Sequence, residues 1–129
     1  MNLLLDTHVL IWWLGSLPML STDARDALAD PDNEAFVSSA SAFEIATKYR
    51  LGKLPVAAAF VDGLDEHLRR EGFKPVAISL PHALAAGCLP PGPHKDPFDR
   101  LLIAQARLEG LTVVTCDPIF QRYRVPVLW

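Results

Sequence analysis

Four carboxylates stand out by position: Asp6, Glu44, Asp99 and Asp117. Asp6 follows the apolar run Leu3-Leu4-Leu5, and Asp117 follows Val113-Val114-Thr115-Cys116. Each run reads as a buried strand, and in open α/β sheets ligands bind beyond the carboxyl ends of the strands. Glu44 and Asp99, the latter with Asp96 three residues before it, fall in the first turns of two expected helices. Acids gathered on one sheet edge repel one another in a partly dry cleft, so a cation or protons must neutralise them. Carboxylates with water form the ligand set of a hard cation such as Mg²⁺ or Mn²⁺. Such an ion can generate hydroxide, orient a phosphodiester and stabilise a departing oxygen. No serine sits in a G-x-S-x-G elbow and neither cysteine has an evident histidine partner, so no other nucleophile competes.

Each acid also has a plainer explanation. Asp6 could cap the helix that follows it, and Glu44 closes a Ser41-x-x-Glu44 capping box. Asp96 before Pro97 has the form of an N-cap with proline at the first helical position. Asp99 could complement the dipole of that helix, and Asp117-Pro118 could open a turn. What argues for chemistry is their joint order and placement.

The elements that would position them alternate. Strands are expected at Asn2–Leu5, Ala35–Ser38, Val76–Ile78, Leu111–Thr115 and Val125–Leu128. Helices are expected from Thr7 to a stop at Gly15, from Ser21 or Thr22 to Ala29, and from Ser41 to Leu51. Further helices should run from Val56 to Glu71, from Pro81 to Leu89, and from Asp96-Pro97 to Glu109 before Gly110, with a short one after Pro118. Alternation of this kind implies a parallel sheet covered on both faces. The 129 residues, with no repeat, linker or low-complexity tract, fit a single domain over 1–129.

A net charge of −3 argues against a protein that grips nucleic acid through a broad basic surface. Cys88 and Cys116 lack metal-site spacing and read as reduced thiols. Met1-Asn2 carries no basic residue and Asp6 soon interrupts the apolar run, so no signal peptide is expected and the location is cytoplasmic. Lys48, Arg50 and Lys53, like His67, Arg69 and Arg70, read as solvated helix ends. His8 and His82 are assigned to structure, and Arg100 to balancing local charge. His94 and Lys95, just before Asp96, are candidates to touch an RNA phosphate. Adjacent Trp12 and Trp13 cannot easily share one buried face, so one is a candidate for a protein interface.

These strings resemble the PIN-domain nucleases, and among them the VapC-like toxins of bacterial toxin–antitoxin pairs. The carriers are Leu3-Leu4-Leu5-Asp6-Thr7-His8-Val9-Leu10-Ile11-Trp12, Ser38-Ser39-Ala40-Ser41-Ala42-Phe43-Glu44-Ile45-Ala46 and Val113-Val114-Thr115-Cys116-Asp117. The most specific is Asp96-Pro97-Phe98-Asp99-Arg100-Leu101-Leu102-Ile103-Ala104-Gln105-Ala106. The resemblance implies a PIN-like three-layer α/β fold, with a central parallel sheet flanked by helices, and an acidic pocket for Mg²⁺ or Mn²⁺. It implies endonucleolytic hydrolysis of RNA by metal-activated water, with Asp6, Glu44, Asp99 and Asp117 as the catalytic and metal-binding acids. Thr115 and Thr7 would support the site, and Asp96 would act as support or helix cap. A VapB-like antitoxin and a homodimer are the implied partners. The alternatives are an inactive PIN-like binding module, or a phosphohydrolase of the haloacid-dehalogenase type. The latter's Asp-x-Asp motif is broken here by His8.

Overall fold

The computed structural model describes residues 1–91 and 96–129. Among the described residues, five strands form one parallel sheet: β1 (Asn2–Leu5), β2 (Glu34–Ser38), β3 (Lys74–Val76), β4 (Thr112–Val114) and β5 (Val127–Leu128). Their spatial order is β3-β2-β1-β4-β5. The helices are α1 (Thr7–Leu14), α2 (Thr22–Ala29), α3 (Ser39–Arg50), α4 (Leu64–Arg70), α5 (Leu80–Gly87), α6 (Pro97–Glu109) and α7 (Ile119–Arg122). This is the expected α/β arrangement of a central parallel sheet flanked by helices.

β1 shows why. Leu3, Leu4 and Leu5 are all fully buried, which an apolar strand achieves only when both sheet faces are covered. Leu3 and Leu5 join a core with Val9, Leu10, Leu28 and Ile45, supplied by α1, α2 and α3. Leu4, one residue out of phase, joins a second core with Leu102, Ile103, Ala106 and Phe120, supplied by α6 and α7. The strand order runs outward from β1 through β2 to β3, then resumes on the other side of β1 with β4 and β5. The reversal falls between β1 and β4, and a crevice opens at such a reversal beyond the strands' carboxyl ends.

Local departures from the sequence expectations have identifiable causes. The expected helix from Val56 to Glu71 splits into a 3₁₀ turn at Pro55–Ala59 and α4, because Gly63 between them takes a left-handed conformation, φ 67°. The third strand lies at Lys74–Val76 and not at Val76–Ile78; Phe73 anchors its start in the core, and Pro75 is tolerated because β3 is an edge strand. α3 starts earlier than Ser41. Its N-cap is Ser38, whose hydroxyl accepts from the Ala40 amide at 3.0 Å, so Ser41 and Glu44 do not form a capping box. His82 is structural, as expected: it is buried and forms a reciprocal cap with Ser79. Arg100 does more than balance charge. Its guanidinium donates to the carbonyls of Ala86 at 3.1 Å, Leu89 at 2.6 Å and Pro90 at 3.4 Å, tying the end of α5 to the start of α6.

Both cysteines are free and exposed. No helix among the described residues is long and apolar enough to cross a membrane. Ser38→Ala should cost about 1 kcal/mol through the lost α3 cap. Urea unfolding checks this as a lower midpoint with an unchanged slope.

Candidate active site

Asp6 sits where β1 ends, and the β1–β4 ladder continues through its amide to the Val114 carbonyl at 3.1 Å. It occupies the N-cap position of α1, yet its side chain makes no capping hydrogen bond. Its Oδ2 instead accepts from the Thr115 hydroxyl at 2.8 Å, and that hydroxyl in turn accepts from the Asp117 amide at 3.0 Å. A single side chain from the end of β4 thus holds the Asp6 carboxylate and the Asp117 backbone across the reversal between β1 and β4. The plain capping explanation for Asp6 falls away. Asp117 does open a turn, its Oδ1 accepting from the Ile119 amide at 3.0 Å.

Asp6 is 4% exposed, and that burial governs its charge. Burial pushes its carboxyl above the ordinary value. The Thr115 hydroxyl, the charge of His8 and the Thr7 amide draw it back, and the negative charge of Asp117 adds to the rise. Thr7 is buried too, and its hydroxyl meets that of Ser41 at 2.9 Å, joining the first turn of α1 to the first turn of α3. Glu44 lies one turn beyond Ser41 and is 4% exposed; its Oε2 accepts from Lys48 Nζ at 2.6 Å. The rings of Phe43 and Phe98, 5.9 Å apart, bring the start of α6 against α3. Asp99, half-buried in the first turn of α6, follows Phe98 directly. Asp96 is the N-cap, accepting from the Phe98 amide at 2.9 Å. His94 and Lys95 lie outside the described residues.

Two contributors escaped the sequence reading. Ser41, a capping residue by its spacing to Glu44, is the partner of Thr7. Lys48 was grouped with solvated basic residues and pairs with the buried Glu44; the signal was available, since residues four apart share a helix face. Among the described residues, no three acidic, histidine or cysteine side chains converge closely enough to hold one ion between them. Mg²⁺ gives up its waters reluctantly and typically takes only one or two carboxylates from a protein. The desolvated Asp6, facing the charge of Asp117, is the kind of pair that such an ion relieves.

Asp6 carries a sign-specific prediction. Its folded value lies above its unfolded one, so the folded state holds the proton more tightly. The cost of burying it is absent below the unfolded value, grows as pH rises between the two values, and is complete above the folded value. Asp6→Asn removes the charge and keeps an acceptor for Thr115. It should therefore raise the metal-free Tm at neutral pH and leave it unchanged well below the carboxylate range. Melts in EDTA at the two pH values test this.

Comparison with known proteins covers almost the whole chain. The PIN domain family model matches residues 3–126. Ribonuclease VapC22 of Mycobacterium tuberculosis is 33% identical over 132 aligned positions, spanning 97% of this chain and 94% of that protein. Ribonuclease VapC16 of the same organism is 38% identical over 69 positions, 50% of this chain and 49% of that one. Among solved structures, VapBC2 from Rickettsia felis bound to a promoter DNA fragment superposes with a TM-score of 0.64 at 18% identity, covering 99% of this chain and 98% of that chain. A toxin–antitoxin complex from Klebsiella pneumoniae gives 0.63 at 19%, covering 98% and 95%. At these identities the superpositions speak to the fold. The sequence match, from β1 to the threshold of β5, settles the family: the chain belongs to the PIN-domain family.

Proposed function

We propose that residues 1–129 form a single PIN-like domain acting as a divalent-metal-dependent endoribonuclease, the toxin of a toxin–antitoxin pair working in the cytoplasm. The observation that carries the reading is the buried Asp6 carboxylate, denied to its own helix cap and held by Thr115 beside Asp117 at the sheet's strand-order reversal. The similarity to ribonuclease VapC22 over nearly its full length supports RNA as the substrate class.

In this reading Asp6, Glu44, Asp99 and Asp117 together hold one or two Mg²⁺ or Mn²⁺ ions, in part through bound water. When bound, the ion supplies an activated water for in-line attack on the phosphodiester and neutralises charge on the departing oxygen. The chain's own contribution is to keep the acids in place without the ion. Thr115 holds the Asp6 carboxylate and the Asp117 backbone, the Thr7–Ser41 contact sets α1 against α3, and Asp96 starts α6 so that Asp99 falls in its first turn. His94 and Lys95 are proposed as RNA phosphate contacts.

A VapB-like antitoxin is the proposed protein partner, by analogy with the toxin–antitoxin complexes of the same fold. The groove that suits it has a volume of about 500 Å³ and is walled by Trp12, Trp13, Leu17, Leu20 and Arg25. Both tryptophans are half-buried, each presenting part of its ring to this groove. A homodimer is proposed through α5, where Leu80 and Leu84, one turn apart, are 74% and 61% exposed.

Cleavage of a mixed single-stranded RNA should require Mn²⁺ and stop in EDTA. Asp6→Asn should abolish it, and Thr115→Val should lower it about 10–100-fold, the usual effect of losing a group that orients a ligand. Full activity in Asp6→Asn would refute the assignment. Sedimentation checks the dimer: Leu84→Glu should convert it to monomer, and an unchanged mass would place the interface elsewhere.

A further inference from the structure

The contact between Glu44 and Lys48 resembles an ordinary helix pair in spacing but not in setting. Exposed pairs four residues apart join two solvated groups and contribute little. Here the Glu44 side chain is 5% exposed, while Lys48, 41% exposed, reaches in from the rim to 2.6 Å. A carboxylate this buried needs a positive partner, and removing that partner leaves an uncompensated charge. The ammonium therefore meets electrostatically the demand that a divalent ion at Glu44 would meet. The two cations compete for one carboxylate, and close to one another they repel.

We infer that Lys48 is a positioning residue for Glu44: it neutralises and orients that carboxylate before metal arrives, and a divalent ion engages Glu44 by displacing it. The inference rests on the proposed role of Glu44 as a metal ligand. It gives Lys48 two opposing effects, stabilising the metal-free protein and weakening metal binding. A merely structural partner of Glu44 would have only the first.

The test is Mn²⁺ titration of the purified, metal-stripped chain, read as the Mn²⁺ concentration giving half of the maximal rise in Tm. Lys48→Met keeps the apolar stem and removes the charge. It should lower the metal-free Tm and tighten Mn²⁺ about tenfold, one unit charge having left the neighbourhood of the ion. Lys48→Arg, which keeps the charge, should stay near wild type. In a Glu44→Gln background, Lys48→Met should no longer shift the half-saturation point, because the coupled partner is gone. Unchanged or weaker Mn²⁺ binding in Lys48→Met, with wild-type binding still lost in Asp6→Asn, would overturn the inference and leave the metal site standing. Absence of any Mn²⁺ stabilisation in wild type would overturn both.

Discussion

Burying a negative charge next to another is the constraint around which this molecule is arranged. Asp6 must sit buried at the end of the central strand with the half-buried Asp117 nearby, and little water reaches Asp6 to screen the pair. The Thr115 hydroxyl offsets part of that cost by donating to Asp6 while accepting from the Asp117 backbone. One hydroxyl thereby ties the carboxylate of one acid to the backbone of the other. The residual imbalance makes the site receptive to a cation.

The fold supplies the rigidity that this requires. β1 is central, with hydrogen-bonded neighbours on both sides and leucines locked into two separate cores. Asp6 can therefore hardly retreat from its neighbour by backbone movement, since its own amide is part of the ladder. The helices that carry Glu44 and Asp99 are held by distinct means: α3 by the Thr7–Ser41 contact with α1, α6 by the Phe43–Phe98 rings against α3. The placement of Asp6 is set by the sheet, and that of Glu44 and Asp99 by side-chain contacts between helices.

Legibility in the sequence followed the same division. Leu3-Leu4-Leu5-Asp6 and Val113-Val114-Thr115-Cys116-Asp117 announce buried strands that end in acids, because an apolar run stopped by a charge has few other uses in an α/β pattern. The Asp96-Pro97 start and Gly110 stop of α6 were equally readable, being local backbone chemistry. Contacts between distant segments were not. Nothing near Ser41 in the chain points to Thr7, 34 residues away, so a capping box was the natural reading of Ser41 and Glu44. The split before α4 turned on the left-handed Gly63, which leaves no mark on hydrophobic periodicity. The sequence separated what each segment would be from what it would touch, and the pocket depends on both.

Arg100 has a consequence of another kind. By gathering the carbonyls of Ala86, Leu89 and Pro90, it fastens the end of α5 directly to α6, while Asp96 fixes the first turn of α6 by its own cap. The first turn of α6, in which Asp99 falls, is thus fixed both from the end of α5 and by its own cap. One planar cation therefore closes carbonyls that the end of a helix leaves open, so that two consecutive helices are riveted together by a side chain.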